Sequence, residues 1–534
     1  MEQGRVILAV ALSLLIWLVY DTFVLRPWQA EHPQPPEPRQ LAVNDRQGAT
    51  PDLPEDPGAS QPEVAALAAP LSEETLIEIE TDLYHARIDP QGARLARFEL
   101  KRYRQGVQED SPPLDLVLHD GAPKQILPLT VQLADGDSDA ATIYRGDVTT
   151  LRVSGTESAS IVLSGETKGG SAIQKTLSFR GDSYAIGVSV KIDSAAPMLG
   201  LLVPPVAAGP ATGSYADLAV TLTAEGLKER TLADIAEEEP TRYEAAKWVG
   251  FSGQYFASMV VSAAKPGRAL IAHAGDTPYV RLDLPVSDEA ASFEVLLVPK
   301  DQKTLAEAGH DLDRVLDFGK LWFVAVPILE LMRLINRFVG NYGVAIIVLS
   351  ILIKVVTFPL NQASMKSMKK MQEIQPQLKR LQDRLKDDQP AMQKEMMELY
   401  KRHGVNPLSG CLPMLLQMPI FIGLWNALGQ AIELRHAPFV LWINDLSAPD
   451  RLMIASVGIP VLTLLMGASM LVQQLMTPAQ GDPNQRRMMM FMPVIFTFFF
   501  INMPSGLVLY WLVSNLLAIG QQMVTMRSKQ GAVA

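Results

Sequence analysis

Hydrophobic and polar positions change their spacing from one part of the chain to the next. Val6 to Leu25 is an apolar run broken only by Asp21, and at about 1.5 Å per residue it matches a ~30 Å hydrocarbon core. The Arg26-Pro27-Trp28 that follows lacks the small-x-small pattern of signal-peptide cleavage, so residues 1–26 are predicted to be a retained transmembrane anchor. From about Leu76 to Lys300 the period is two. In Tyr184-Ala185-Ile186-Gly187-Val188-Ser189-Val190-Lys191-Ile192 large apolar residues alternate with small or polar ones, as in a strand with one buried face. Leu76–Ile79, Tyr84–Ile88, Ile161–Leu163 and Phe293–Val298 repeat the pattern, with turn residues such as Pro90-Gln91-Gly92 between runs. They predict a β-sandwich-like domain over residues 76–315.

The period then becomes helical. Leu316 to Val339 places Glu330, Arg333 and Arg337 on one face and Trp322, Phe323, Ile328, Leu329, Met332 and Ile335 on others. That is the pattern of an amphipathic helix, residues 316–340, lying in a bilayer interface; packing on the β-domain is the alternative. Five apolar stretches follow within residues 341–534: Tyr342–Leu360, Leu412–Ile432, Leu452–Met476, Met488–Met503 and Leu507–Val524. With the N-terminal anchor they predict six transmembrane helices and both termini on one side. Between the first two, residues 362–403 carry Met371, Ile374, Leu378, Leu381 and Leu385, then Met392, Met396 and Leu399, at 3-4 spacing about an Asp387-Asp388-Gln389-Pro390 turn. This predicts an antiparallel helical hairpin in which Pro376 kinks the first helix or starts a new segment.

Composition sharpens the division. Residues 27–75 read as a flexible linker, with ten prolines in the 44 residues from Pro27 to Pro70 and few large apolar side chains. The net charge of −10 hides 28 Lys/Arg against 46 Asp/Glu in residues 1–320, and 19 against 11 in residues 321–534, which also hold 20 of the 23 methionines. By the positive-inside rule the Asn361–Gly410 connection, with ten Lys/Arg, is cytoplasmic, as are Arg486, Arg487 and the tail with Arg527 and Lys529. The acidic β-domain then faces outward. A lone Cys411 and seven scattered histidines offer no disulfide framework and no helical zinc pair. No phosphate loop or Gly-x-Ser-x-Gly elbow is present, so no cofactor, metal or catalytic residue is expected.

Lys354 carries the sharpest chemical signal. It lies 12 residues after Tyr342, about 18 Å along a helix, and is the one charge in Val344–Val356. At that depth a lysine costs about 2.5–3.5 kcal/mol on insertion scales, so it should face a water-filled cavity, with snorkelling to the cytoplasmic interface as the alternative. Ser350, Asn426, Gln430, Trp511 and Asn515 are candidates to line that cavity, or else to bond neighbouring helices together. The spans hold no deep acidic residue, which argues against a proton relay. Met418, Pro419, Phe421, Met492, Phe496 and Phe500 would give two spans an adaptable apolar surface suited to varied partners, though such residues also simply face lipid.

The stretch Val405-Asn406-Pro407-Leu408-Ser409-Gly410-Cys411-Leu412-Pro413 with Gln417-Met418-Pro419-Ile420-Phe421, the segment Phe491-Met492-Pro493-Val494-Ile495-Phe496, and Pro504-Ser505-Gly506-Leu507-Val508-Leu509-Tyr510-Trp511 with Ser514-Asn515 closely resemble the YidC family of membrane protein insertases of Gram-negative bacteria. The resemblance covers nearly the whole chain, including Trp248-Val249-Gly250-Phe251 and Gln254-Tyr255-Phe256 of the β-domain. It implies a periplasmic β-supersandwich and a five-helix insertase core in the inner membrane. That core would form a groove open to cytoplasm and lipid and closed toward the periplasm. The implied activity is insertion and chaperoning of nascent membrane proteins, alone or with the Sec translocon, without nucleotide, cofactor or sequence-specific nucleic acid. In the family the groove charge is commonly arginine and the aromatic after Tyr510 often tyrosine; here they are Lys354 and Trp511. The short tail after Arg527 leaves ribosome docking mainly to the hairpin. A secondary transporter binding an anionic solute at Lys354 is the runner-up, weakened by the absence of inverted repeats. A sugar-processing β-domain is a third reading, for which the sequence offers no His/Glu constellation.

Overall fold

The computed structural model describes Leu67 and residues 76–534, apart from 119–124, 134–137, 194–197, 207–216, 264, 287–289, 386–387, 405–411, 455–456, 477–482 and 528–534. The predicted anchor and nearly all of the predicted linker lie outside the described residues, as does the motif from Val405 to Cys411. The chain separates into a β-unit ending at Asp317 and a helical unit beginning at Phe318.

In the β-unit an eight-stranded antiparallel sheet runs, in spatial order, Gly226–Thr231, Leu218–Thr223, Trp248–Ser252, Phe256–Ser262, Ala290–Pro299, Ala185–Ile192, Ala172–Arg180 and Ser158–Glu166. A five-stranded sheet, Thr241–Ala246, Gly267–Ala274, Thr277–Pro285, Met198–Val203 and Val131–Leu133, packs against it. The predicted alternation is visible as burial: Ile186, Val188, Val190 and Ile192 turn inward from their strand while Ala185, Gly187 and Ser189 are less covered. Fully buried Trp248, Phe251, Phe256, Tyr279 and Phe293 fill the core, so the unit is a β-sandwich. A second five-stranded sheet, Pro113–Asp115, Arg94–Arg104, Tyr84–Asp89, Ile77–Glu80 and Thr150–Arg152, completes the described strands of this unit. Two short helices, α1 (Leu232–Glu237) and α2 (Gln302–Ala308), are capped by Thr231 and Asp301.

Charge is also buried there. Asp139 pairs with Lys175 and accepts from the Tyr144 hydroxyl at 2.9 Å, while the Lys175 amine donates to the carbonyls of Gly92 (2.6 Å) and Leu129 (2.7 Å). Arg94 pairs with Asp89 at 2.9 Å, and all four charged side chains are sealed from solvent. Every amine proton of Lys175 thus has an acceptor, the condition under which a buried ion pair is tolerated. His85–Glu99 and His310–Glu294 are single pairs at 3.3 and 3.1 Å on different sheets. They do not converge into a sugar-processing centre.

The helical unit contains α3 (Trp322–Val339), α4 (Tyr342–Arg384), α5 (Gln389–His403), α6 (Leu412–Gln430), α7 (Val461–Met476), α8 (Pro483–Phe500) and α9 (Ser505–Arg527). Helix α3 packs on α6 and α4, α7 on α8 and α9, and α9 on α4. Its buried stripe is Ala325, Ile328, Leu329, Met332 and Ile335, leaving Phe323, Leu334 and Phe338 exposed beside the polar Glu330–Arg333–Arg337 face. The helix starts at Trp322 rather than Leu316, because Gly319 takes a left-handed conformation (φ 67°) just before it.

Helix α4 continues for 43 residues through both Pro359 and Pro376, so no new segment starts at Pro376. Helix α5 packs on α4, with Asp388 capping α5 and Arg384 paired with Glu395. The apolar stretch Leu452–Met476 is helical only from Val461; Leu452–Ile454 and Val457–Ile459 instead pair as a small antiparallel hairpin. Pro460 supplies no N–H to a ladder and suits the start of a helix, which accounts for the boundary.

Lys300 provides a test of how the β-unit tolerates buried charge. Its amine donates to the Gly253 carbonyl at 2.9 Å, and burial pushes its pKa down to about 8 despite the nearby Asp317, Glu229 and Asp217. Between pH 8 and its ordinary value of 10.5 the unfolded chain holds a proton that the folded chain has released. Stability contributed by this residue therefore rises as pH climbs through that window, and is flat below it. In chemical unfolding of the full chain, wild type should gain on Lys300→Met between pH 8 and 10; a constant difference would contradict this.

Candidate functional site

Lys354 sits midway along the apolar part of α4, at the edge between two faces. On one side Ile351, Leu352, Val355 and Val356 are exposed; on the other Ala345, Ile346, Leu349 and Ser350 are buried. Lys354 itself is half-buried and no carboxylate among the described residues pairs with it. Ser350, Lys354, Thr357 and Asn361 follow one another at helical spacing on the inner face, so the lysine belongs to a polar stripe. The Ser350 hydroxyl donates to the Ile346 carbonyl (2.7 Å) and the Thr357 hydroxyl to that of Ile353 (3.0 Å), each turned back onto its own helix. The Asn361 amide donates to the Thr357 hydroxyl at 3.4 Å. Thr357 and Asn361 continue the stripe of Ser350 and Lys354 at the same helical spacing, the signal in the sequence that marks them.

The aromatic residues converge beside α9. Trp511 meets Phe421 of α6 edge-on at 4.8 Å between ring centroids, and Phe500 and Phe496 of α8 at 5.3 and 5.9 Å. Trp425 joins by edge contact with Phe421 (6.0 Å) and by stacking on Phe499 (6.3 Å). Such offset and edge-on pairs add about 0.5–1.5 kcal/mol beyond area burial, so the cluster fixes three helices against one another. Trp511, expected among polar lining, thus spends its ring on this cluster. Phe500 is fully buried and serves as its core, whereas Met418 and Met492 are exposed and Phe496 and Phe421 partly so. Pro419 is exposed as well.

The remaining candidates separate. The Asn426 amide donates to the Phe318 carbonyl at 2.8 Å, tying α6 to the entry of α3, and Gly423 allows Val324 to approach the same helix closely. Asn515 donates to the Ser469 hydroxyl at 3.0 Å, linking α9 to α7. Both act as bonds between elements. Gln430 is buried at the end of α6. A polar contact not anticipated from the sequence joins Gln417 of α6 to the buried Tyr510 hydroxyl of α9.

The segment 431–451 closes one end of this bundle. Asp445 accepts from the His436 N–H (3.0 Å) and from the Ser447 N–H and hydroxyl (2.8 and 2.7 Å), while its own carbonyl accepts from the Ser505 hydroxyl (2.8 Å). Asp450 accepts from the Trp442 indole at 2.6 Å and from backbone N–H groups of Leu462 and Thr463, capping α7. Arg333 of α3 bridges Glu330 and Glu433. Backbone bonds from Ser505 and Gly506 to Ala448 and Leu446 complete the closure.

Two helices long and apolar enough to cross a membrane, within α4 (Tyr342–Ser367) and α9 (Ser505–Val524), joined in sequence to a large β-sandwich, are the features of a membrane protein with a β-domain. Comparison with known proteins specifies it. A family model described as 60Kd inner membrane protein matches residues 334–532, and one described as YidC periplasmic domain matches residues 76–331. The membrane protein insertase YidC of Oleidesulfovibrio alaskensis is 35% identical over 543 residues, covering 98% of this chain and 99% of that protein. That of Geobacter metallireducens is 34% identical over 558 residues, covering 100% of each. A crystal structure titled as an active YidC insertase with its first transmembrane domain resolved shares 19% identity, covers 86% of this chain and 94% of its own, and has a TM-score of 0.37. The chain belongs to the YidC family of membrane protein insertases, proteins of the bacterial inner membrane that are not enzymes.

The division between cluster core and exposed surface has a measurable consequence. Phe500→Ala should cost about 3–5 kcal/mol, as for a buried aromatic cut to a methyl, and lower the thermal unfolding midpoint in detergent. Met418→Ala, at an exposed position, should leave it nearly unchanged; equal losses would place both residues in the core.

Proposed function

We propose that this protein moves nascent transmembrane segments from the cytoplasm into the bilayer through a wet, positively charged groove beside α4, α6 and α9. The supporting observation is Lys354, a half-buried cation in an apolar helix with no pairing carboxylate among the described residues. A polar segment of a nascent chain cannot cross ~30 Å of hydrocarbon unaided, because each unpaired polar group costs several kcal/mol there. A groove reaching about 18 Å along α4 shortens the dry path, and the amine attracts the acidic part of the passing segment. The substrate's apolar helix meanwhile slides along exposed Met418, Pro419 and Met492 and part-exposed Phe421 and Phe496 into lipid. Its own transfer energy drives the step, so no nucleotide is needed.

In this reading the chain has six spans, the anchor of residues 1–26 included, with both termini and the 362–403 hairpin cytoplasmic and the β-domain periplasmic. The positive charge of Asn361–Gly410 supports that orientation. The 431–451 segment, bonded to the α8–α9 turn, then closes the groove on the periplasmic side. The basic hairpin and short tail meet the ribosome, and the core works alone or beside the Sec translocon. Asn361, part-exposed, continues the polar stripe one step past Thr357, while Phe500 and Trp511 hold the slide in place.

The test is site-specific photocrosslinking from Met418 and Phe496 to a stalled, ribosome-bound single-span protein with an acidic translocated tail. Capture is expected at both sites, reduced several-fold by Lys354→Ala and retained by Lys354→Arg. Failure to capture a nascent chain, with a small anion shielding Lys354 from modification, would favour the transporter instead. Equal loss in both lysine variants would show that charge is not the operative property.

A further inference from the structure

Leu452–Ile459 has the hydropathy of a span, yet Leu452–Ile454 and Val457–Ile459 pair as antiparallel strands. Leu452 pairs with Ile459, Met453 with Gly458 and Ile454 with Val457. Met453, Ile454 and Val457 are 64%, 54% and 63% exposed, and no charged residue occurs from Leu452 to Gly481. The base of this hairpin is firmly held. Asp450 caps α7, and the Arg451 guanidinium donates to the Ile501 carbonyl (2.8 Å) and the Asn502 side-chain oxygen (3.0 Å) in the α8–α9 turn. A second apolar tip stands on the same segment. Leu441 is 83% exposed in a left-handed conformation (φ 57°), in a turn closed by the Ile443 N–H on the Val440 carbonyl and the Phe439 N–H on the Ile443 carbonyl.

Three exposed apolar side chains on a short hairpin are unfavourable in water, and their surroundings follow from what continues the chain. Past Pro460 the next exposed residues are Leu464 and Leu465 of α7, a helix whose exposed side chains at Leu464, Leu465, Leu471, Val472 and Leu475 are apolar. Helix α7 has 16 residues. Its described residues already rise about 24 Å of a ~30 Å hydrocarbon core, so a helix that spans the core must start near the hydrocarbon boundary. Each extended leg of the hairpin reaches about 10 Å beyond the start of the helix. Pairing satisfies the inner-edge backbone groups of the legs, while their outer edges still require water. Deep burial is therefore too costly, and the headgroup–acyl boundary meets both demands.

We propose that the Leu452–Ile459 hairpin, with the Val440–Leu441 turn, is a lipid-inserting element that dips into the headgroup–acyl boundary of the bilayer. It anchors the start of α7 there, and Asp450 and Arg451 transmit that anchorage to α7 and the α8–α9 turn. Only the choice of leaflet, the periplasmic one, rests on the orientation proposed above; the lipid contact itself is independent of the insertase reading.

The experiment places an environment-sensitive nitrobenzoxadiazole probe at Met453→Cys, and separately at Val457→Cys, in full-length Cys411→Ser protein reconstituted into phosphatidylethanolamine–phosphatidylglycerol vesicles. Thr156→Cys, exposed in the β-unit, is the water reference. The expected result is emission at shorter wavelength than the reference, quenched by shallow doxyl-labelled lipid and shielded from iodide. Emission and iodide quenching like those of Thr156→Cys would overturn the proposal. So would shielding from lipid and iodide alike, which would mean that protein covers the hairpin. Insertion of a test substrate, measured in parallel, should be retained by both cysteine variants. Retained insertion with a water-exposed hairpin would overturn this inference alone, and failure of the Cys411→Ser parent to insert the substrate, with lipid quenching at the hairpin, would count against the functional reading alone.

Discussion

A single amine about 18 Å along an apolar helix constrains the whole helical unit. A lysine there must reach water, a counter-charge or the membrane surface, since solvating it in hydrocarbon costs kilocalories per mole. No described carboxylate meets it, and its neighbours along the helix, Ser350 and Thr357, turn their hydroxyls back onto their own backbone. In the proposed reading the amine meets water, and a helical bundle that admits water to that depth must be held open by something other than close packing around the charge. The aromatic cluster of Phe421, Trp425, Phe496, Phe499, Phe500 and Trp511 provides the rigidity, locking α6, α8 and α9 together. The hydrogen-bonded 431–451 segment provides the closure, joining α3, α7 and the α8–α9 turn through Glu433, Asp450 and Asp445.

The two kinds of architecture treat buried charge in opposite ways. In the β-sandwich Lys175 is completely enclosed and every proton finds an acceptor, so it ties its strand to the loop residues Gly92, Leu129 and Asp139. In the helical unit Lys354 has no such carboxylate among the described residues, and in the proposed reading its charge stays available to an entering segment. The first arrangement stabilises one structure; the second is suited to transient attraction, in which tight pairing would only slow release. Methionines at Met418 and Met492 fit the same logic, since their flexible thioethers repack against apolar surfaces of differing shape.

Much of this was legible in the sequence because burial leaves a periodic trace. Alternation at Tyr184–Ile192 corresponds to a strand from Ala185 to Ile192, and the interfacial pattern of Leu316–Val339 to a helix from Trp322 to Val339. Hydropathy reports surroundings rather than backbone, which is why Leu452–Ile459 reads as part of a helix and is a hairpin. Polar residues in spans are harder still. Asn426, Asn515 and Ser350 share the composition of cavity lining, yet the first two bond neighbouring elements and the third its own backbone. Which of these a side chain does depends on the partner that the fold brings to it, from more than 100 residues away for Asn426 and Phe318. For the same reason Phe500 reads like Phe496 in the sequence, although the structure buries the first completely and leaves the second partly exposed.

The central claim is that the Lys354 position is wet from the cytoplasmic side and sealed from the other. Its most direct measurement is labelling of Lys354→Cys, in a Cys411→Ser background, with a charged, membrane-impermeant maleimide applied to oriented membrane vesicles. Modification should occur in inside-out vesicles, where the cytoplasmic face meets the reagent, and not in right-side-out ones. Protection from both sides would mean that the residue lies in protein or lipid without water, and modification from the periplasmic side would mean that the closure at residues 431–451 does not hold; either result contradicts the account.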